Sequence, residues 1–224
     1  MRNRKGLKKA GGICTAVANN LKPYVVKVKE GDDDDEYLIT RLDHVRPALN
    51  IVNVNGGQQS RMGKQEVLES WGRLKVELNA IKARNENCLL LGDLNRAIGT
   101  GKLGVPGNHA RVSYGGTLVR ELLEEQDFTL VNGLDLAEGG PWTWESAADH
   151  RIKSCLDLVM VSAGLLPHVS SLVVDSERKI TPARVSMRKG KKKLIPNDHF
   201  ALKIVLTNLP TKKIKTDQES WRLE

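Results

Sequence analysis

A carboxylate and an amide stand one residue apart at the end of a short apolar run. Residues 88–91 are followed by Gly92, Asp93, Leu94 and Asn95. Such a run, bounded by turn residues, is typical of a strand buried on both faces. Side chains alternate in an extended exit, so Asp93 and Asn95 could together hold a water and a phosphate oxygen. The alternative is an Asx-turn, in which both side chains only bond their own backbone.

Two further acidic positions lie within or beside apolar runs. Asp157 is the only acid of residues 155–161, and an unpaired buried carboxylate is so unfavourable that it requires a partner. Asp198 and His199 directly precede the apolar run 200–206. Among the five histidines, only His199 has an adjacent acid at the mouth of a strand, so it is a candidate for chemistry.

The elements that must position these residues are mostly strands in the first hundred residues, with helices and further short strands after them. The apolar spacing in residues 63–85 and 117–126 predicts amphipathic helices. Residues 99–107 are rich in glycine without the spacing of a phosphate-binding loop, and they are interpreted as a flexible surface loop. The predicted strands cover residues 12–18, 24–30, 37–43, 49–55, 128–132, 155–161, 172–174 and 200–206.

Composition limits the classes of protein that this chain can represent. Its 224 residues suit one large domain, and no apolar run reaches the length of a membrane span. The three cysteines lie in apolar stretches, which is typical of reduced thiols in an intracellular protein of the nucleus or cytoplasm. The formal net charge is 35 − 27 = +8, which favours polyanionic partners.

The positive charge is concentrated in two segments. Five of the first nine residues are basic, and so are eight of the sixteen residues 178–193, which include no acid. Such blocks attract nucleic acid, although a solvated loop that binds nothing has the same composition. The predicted nucleic-acid-binding residues are Arg178, Lys179, Arg188, Lys189, Lys191, Lys192 and Lys193.

The acidic motifs form an ordered series that resembles the endonuclease/exonuclease/phosphatase family. Within that family, the series is most similar to the endonuclease domain of non-LTR retrotransposons. The resemblance covers residues 11–207, between a basic segment at 1–10 and a polar tail at 208–224. The matching motifs are Gly92-Asp93-Leu94-Asn95, Leu130-Val131-Asn132, Thr143-Trp144, Ser154-Cys155-Leu156-Asp157 and Asp198-His199.

This resemblance implies an α/β four-layer sandwich of two packed mixed β-sheets flanked by helices. It implies a divalent-metal-dependent endonuclease that hydrolyses phosphodiester bonds of DNA with Mg²⁺ or Mn²⁺. In these roles Asp93 orients the attacking water and Asn95 holds the phosphate. Asp198 binds the metal, and His199 contacts the phosphate as an imidazolium held by Asp157.

Two departures from the family pattern affect these expectations. The family begins with an Asn-bearing strand and a Glu-bearing strand, and neither is found before Gly12, so the sheet is expected to lack its usual first strands. Asn55 stands where a tyrosine is usual, and Gln58 where a phosphate-facing asparagine is frequent. A rearranged N-terminal segment, a second copy or a longer polypeptide is therefore expected to complete the sheet, and activity is expected to be weak.

Two other functions remain open from the sequence. A catalytically silent descendant could bind nucleic acid or a protein partner. A phosphatase of small phosphoesters is disfavoured, because a small substrate needs no long cationic surface.

Overall fold

The computed structural model describes residues 13–30, 37–56, 64–100, 105, 106, 108, 111–180, 184–188, 191–195 and 197–212. Only the backbone is described at 27–30, 184–188 and 191–195. The basic segment 1–10, Gln58 and Lys189 lie outside the described residues. No described helix combines the length and the apolar character needed to cross a membrane.

The described residues form thirteen strands and two α-helices. The helices are α1 (Lys64–Ala83) and α2 (Tyr114–Glu125). The strands are β1 (Val25–Glu30), β2 (Tyr37–Leu42), β3 (Leu49–Asn55), β4 (Asn87–Asp93), β5 (Phe128–Leu130), β6 (Ala137–Glu138), β7 (Trp144–Glu145), β8 (Lys153–Ser154), β9 (Asp157–Ser162), β10 (Val169–Val174), β11 (Arg184–Arg188), β12 (Lys191–Ile195) and β13 (Leu202–Leu206).

The larger sheet has six strands in the order β1-β2-β3-β4-β9-β5. Strands β3 and β4 are parallel, whereas β4 and β9 are antiparallel, so the sheet is mixed. Both α-helices pack on one face of this sheet, because their apolar stripes meet the alternate residues that point to that face. Val67, Leu74 and Leu78 of α1 share this core with Leu90 and Met160 of the sheet.

The other face of the larger sheet packs against a smaller sheet in the order β13-β10-β6. Leu89 and Val161 of the larger sheet share an apolar cluster with Leu172 of β10 and Ile204 of β13. The α/β class with two packed sheets is therefore confirmed. In the described part of the chain, both α-helices cover the face of the larger sheet that points away from the smaller sheet.

Two hairpins stand outside these sheets. Strand β7 pairs with β8, and β11 pairs with β12 within the basic segment 178–193. The second hairpin is a finding that sequence composition did not predict, because lysine and arginine side chains carry no strong β preference.

Several predicted boundaries differ from the structure. Residues 13–18, predicted as a strand, have no regular secondary structure. The loop at 99–107 is not entirely a surface feature, because Gly99 is buried and Val105 is fully buried in the core. The first residues of the predicted tail, 208–212, run beside the turn after β2, where Thr211 pairs with Val45.

Candidate active site

Strands β4 and β9 bring Asp93 and Asp157 to the same edge of the larger sheet. These two residues form the last pair of the antiparallel ladder. Gly92, just before, has φ +139, and a Cβ there would lie 1.9 Å from the Val54 carbonyl oxygen. Only glycine fits this conformation and this close approach without strain, so Gly92 allows β4 to continue to Asp93.

His199 completes a cluster of three polar side chains with the two aspartates. Its Nδ1 lies 2.9 Å from Asp157 Oδ2, and its Nε2 lies 3.9 Å from Asp93 Oδ2. The side chains are 36%, 15% and 26% exposed for His199, Asp157 and Asp93. One ligand atom from each residue lies within 4.8 Å of the others. Asp157 therefore has the partner that its burial required.

A short ribbon of backbone hydrogen bonds places His199. Trp144 of β7 pairs with Ser154 of β8 on one side and with His199 on the other. The amide of Phe200 then donates to the carbonyl of Thr143 at 2.7 Å. The imidazole is thus carried by a backbone that is fixed on both sides of it.

Two neutral side chains hold the backbone of Asp157 on the side away from β4, where no described strand pairs with it. Strand β5 pairs only with residues 160–162 of β9, so the amide of Asp157 needs another partner on that side. The buried Thr143 hydroxyl accepts hydrogen bonds from the amides of Leu156 and Asp157, both at 2.9 Å. Asn132 donates to the Asp157 carbonyl at 3.1 Å. These side chains replace the missing strand.

Asn95 is bonded directly to Asp93. The backbone amide of Asn95 donates to Asp93 Oδ1 at 3.1 Å, and the side-chain Nδ2 of Asn95 donates to Asp93 Oδ2 at 2.7 Å. The first contact is the Asx-turn that the sequence left as an alternative, and Asn95 adopts φ +50 to close it. The turn does not exclude chemistry, because it orients the Asp93 carboxylate toward His199.

The electrostatics of the cluster favour a proton acceptor beside a cation. Burial, followed by the negative charge of Asp157, raises the pKa of Asp93 above its ordinary value, although His199 and the two Asn95 bonds oppose this. Burial alone would lower the pKa of His199. The hydrogen bond to Asp157 and the charges of Asp157, Asp93 and Asp198 outweigh burial, so the His199 pKa is raised.

The other predicted site residues are placed with different degrees of detail. Asn55 lies beside Asp93, because the two residues pair in the parallel register of β3 and β4. Asp198 is exposed and is not one of the three clustered residues, although its carbonyl accepts a hydrogen bond from the Glu145 amide. Its role as a metal ligand stays a prediction, as does the phosphate-binding role of Asn55 and Gln58.

Of the predicted nucleic-acid-binding residues, Arg178 and Lys179 have described side chains. The Arg178 guanidinium lies 4.6 Å from the centre of the Phe200 ring and 3.5 Å from Glu145 Oε1. Lys179 forms an ion pair with Glu177. Arg188, Lys191, Lys192 and Lys193 lie on the hairpin of β11 and β12, of which the backbone is described.

Three buried or half-buried side chains beside the site were given no role by the sequence. Thr143 and Asn132 belong to motifs of the predicted series, but their hydrogen bonds to the Asp157 backbone were not foreseen. Asn108 follows the glycine-rich loop and is 8% exposed. An asparagine after glycines is typical of a turn, so composition gave no signal that Asn108 is buried.

The site has the donor chemistry that a divalent cation requires. Carboxylate oxygens suit Mg²⁺ and Mn²⁺, and an imidazole nitrogen adds a ligand that transition metals accept. Two carboxylates and one imidazole within 4.8 Å therefore fit such an ion.

The chain resembles known proteins in its sequence profile and in its fold. The sequence profile described as the Endonuclease/Exonuclease/phosphatase family matches residues 4–186. No curated protein matches the chain.

Solved structures share the fold at low sequence identity. A 3'-5' exonuclease from Neisseria meningitidis superposes with a TM-score of 0.55 and 17% identity, over 76% of this chain and 64% of that one. A 3' phosphatase from Neisseria, bound to a product DNA hairpin, gives 0.54 and 17% with the same coverage. An AP endonuclease from Archaeoglobus fulgidus gives 0.53 and 15%, over 80% of this chain and 70% of that one. The chain thus spans 64% of the length of the two Neisseria proteins.

Proposed function

The chain belongs to the endonuclease/exonuclease/phosphatase family, and on that premise we propose that it hydrolyses phosphodiester bonds of nucleic acid. The observation that carries this proposal is the cluster of Asp93, Asp157 and His199 at one edge of the larger sheet. It combines a carboxylate of raised pKa with an imidazole of raised pKa, 3.9 Å apart. Hydrolysis of a phosphodiester needs a proton acceptor for water and positive charge on the phosphoryl oxygens.

Asp93 is the proton acceptor in this proposal. Its carboxylate takes a proton from the water whose oxygen attacks phosphorus, while the bond from phosphorus to the leaving oxygen breaks. A raised pKa makes a carboxylate a better base at neutral pH than an ordinary aspartate. The two Asn95 hydrogen bonds, at 3.1 and 2.7 Å, hold the carboxylate in one orientation.

His199 supplies positive charge to the phosphate. Its Nδ1 is bonded to Asp157 at 2.9 Å, so Nε2 is the nitrogen that can donate to a phosphoryl oxygen. Because the pKa of His199 is raised, more of the imidazole is cationic near neutral pH. Asp157 thus acts through His199 by fixing its ring and its charge.

The three clustered side chains could hold a divalent ion, Mg²⁺ or Mn²⁺, only with His199 neutral, so in this proposal they act on the water and the phosphate instead. Asp198 is the carboxylate that would hold the ion, as the family resemblance implies. When bound, such an ion supplies positive charge to the phosphoryl oxygens and to the leaving oxygen.

The proposed substrate is DNA. The net charge of +8 and the basic segments at 1–10 and 178–193 support a polyanionic partner. The product DNA hairpin in the structure of the Neisseria phosphatase belongs to that protein, and it supports the same substrate class here. More specifically, the proposed reaction is nicking of duplex DNA in the manner of a retrotransposon endonuclease. The proposal also includes completion of the sheet by a rearranged N-terminal segment, a second copy or a longer polypeptide.

A supercoiled-plasmid nicking assay tests the proposed function. Wild type, Asp93→Ala and His199→Ala are compared over titrations of Mg²⁺ and Mn²⁺, with His168→Ala as a matched control. His168 is bonded to the Thr207 carbonyl and is not part of the cluster. We expect nicking to require the metal and to fall about 100- to 1,000-fold in the two site variants.

The outcomes separate the alternatives. Nicking that persists in both site variants would reject this site. Absent nicking by wild type, with salt-dependent DNA binding retained, would favour the catalytically silent binding protein. Release of phosphate from a 3'-phosphorylated DNA end, without nicking, would instead favour a DNA 3'-phosphatase.

A further inference from the structure

Asn108 is a buried amide that joins the two chain segments carrying the site aspartates. Its Nδ2 donates to the carbonyl of Cys155 at 2.6 Å and to the carbonyl of Arg96 at 3.3 Å. Its Oδ1 accepts the amide of Ile98 at 2.9 Å. Only this orientation of the amide satisfies all three contacts, since two of the partners are acceptors and one is a donor.

The contacts lie just beyond the end of the ladder between β4 and β9. Asp93 and Asp157 form the last pair, and one more bond follows, from the Leu94 amide to the Leu156 carbonyl at 3.0 Å. Past this point the chain after Asp93 turns away from the sheet. Cys155 lies two residues before Asp157 and Arg96 three residues after Asp93, so Asn108 bridges both segments next to the carboxylates.

We propose that Asn108 is a positioning residue that fixes the separation of Asp93 and Asp157. The inference rests on the proposed function, because it assigns Asn108 to the geometry of that site. Among the described residues, the bond from the Leu94 amide to the Leu156 carbonyl is the backbone hydrogen bond that joins the two segments past the aspartate pair. The two Nδ2 donors of Asn108 supply the connection that a longer ladder would have given.

Burial makes the hydrogen bonds of Asn108 difficult to replace. Asn108 is 8% exposed, so water cannot easily replace its hydrogen bonds, and each carbonyl left unpaired in its place carries a desolvation cost. Its own backbone is fixed as well, since its amide donates to the Val105 carbonyl at 3.2 Å and Val105 is fully buried. The residue is therefore held rigidly enough to transmit position.

The test compares Asn108→Ala with Asn50→Ala, a matched variant at the opposite end of the sheet. Asn50 is also buried, and its Nδ2 also makes two hydrogen bonds, to Glu86 Oε2 at 3.0 Å and the Asn87 carbonyl at 3.2 Å. A third variant, Asn108→Asp, keeps an acceptor for Ile98 but removes both donors. All three are measured for unfolding by urea, for amide hydrogen exchange, and for kcat and KM on a DNA substrate.

We expect Asn108→Ala and Asn108→Asp to lower kcat about 10- to 100-fold with KM within about twofold, whereas Asn50→Ala keeps kcat. We also expect faster exchange of the Leu94 amide in the two Asn108 variants alone. Equal loss of kcat in Asn50→Ala, or unchanged exchange at Leu94, would overturn the positioning role. If wild type shows no hydrolysis, the proposed function fails, but the exchange of Leu94 still decides the positioning role.

Discussion

Strand β4 has a carboxylate at each end, and the two carboxylates have opposite surroundings. Just before the strand, Glu86 accepts hydrogen bonds from Arg41 Nη2 at 2.8 Å, Arg84 at 3.0 Å and Asn50 at 3.0 Å. Burial alone would raise its pKa, but the bonds from Arg84, Arg41 and Asn50 lower it to about 2. The charged form of Glu86 is therefore compensated by its partners for the cost of burial.

At the other end of the strand, Asp93 faces a second carboxylate and one imidazole. Its pKa is raised by burial and by Asp157, because the His199 charge and the Asn95 bonds do not offset these two effects. The same strand thus ends in a stabilised acid on one side and an acid held in an unfavourable environment on the other. Unfavourable charge placement of this kind is typical of functional sites, whereas compensated ion pairs are typical of structural ones.

The largest effect that would test this contrast is expected from Asp93→Asn. The substitution keeps the size and an acceptor for the Asn95 backbone amide, but it removes the negative charge opposite Asp157 and the acceptor for Asn95 Nδ2. We expect hydrolysis to fall about 100- to 1,000-fold. We expect the free energy of unfolding at pH 7 to change by less than about 1 kcal/mol, because removal of an unfavourable charge offsets the lost hydrogen bond.

Urea unfolding and plasmid nicking measured on the same preparation check both parts. The matched control is Asp135→Asn, an exposed aspartate outside the cluster, which should change neither quantity. A loss well above about 1 kcal/mol in Asp93→Asn, more than one lost hydrogen bond explains, would contradict the contrast, since it would show that the Asp93 charge is stabilised in the fold.

The second prediction concerns the compensated acid. Glu86→Gln removes the charge that pairs with Arg41 and Arg84 while keeping most of the side-chain volume. We expect the free energy of unfolding at pH 7 to fall by about 2–3 kcal/mol, because a partly buried ion pair loses one partner. Hydrolysis should stay within about twofold of wild type, since Glu86 lies at the far end of β4.

The pH dependence of stability shows whether the effect of Glu86→Gln comes from the charge of Glu86. The Glu86 pKa is lowered in the fold from 4.5 to about 2, so its contribution is fully present above pH 4.5 and is lost as pH falls toward 2. The wild-type and Glu86→Gln unfolding curves should therefore differ at pH 7 and converge between pH 4.5 and 2. A difference that persists at pH 2 would assign the effect to packing instead of charge.

The surroundings of Asp93, at the carboxyl end of β4, could largely be predicted from the sequence, whereas those of Glu86 at the other end could not. The apolar run before Gly92 predicted β4, and the spacing of Asp93 and Asn95 predicted a site where the strand ends. Asp157 was predicted to need a partner, and His199 is bonded to it. The strand and the partner of Asp157 could be predicted because alternation along a strand and the cost of a buried charge are local rules, whereas the chemical role of Asp93 and Asn95 stays a prediction.

The partners of Glu86 could not be predicted in this way. Arg41 lies 45 residues away in sequence, and the pairing depends on the register of β2, β3 and β4. The same reason hides Asn108, whose contact with Cys155 spans 47 residues. A side chain replaces backbone pairing where the hydrogen bonds between two strands end. The periodicity of a sequence does not show where that is.

The smallest expected effect comes from a third acid, Asp127, which has a partner but little burial. Its Oδ2 lies 2.9 Å from Lys82 Nζ, at the same end of the sheet as Glu86, but the two side chains are 70% and 48% exposed. Exposed ion pairs contribute little, because water and salt screen them. Asp127 has φ +53, a conformation that asparagine also tolerates, so Asp127→Asn removes the charge without backbone strain. We expect a change in unfolding free energy below about 0.5 kcal/mol in urea titrations at low salt, and none at 0.5 M salt. A loss as large as that of Glu86→Gln would mean that pairing alone, without burial, separates the two ends of β4.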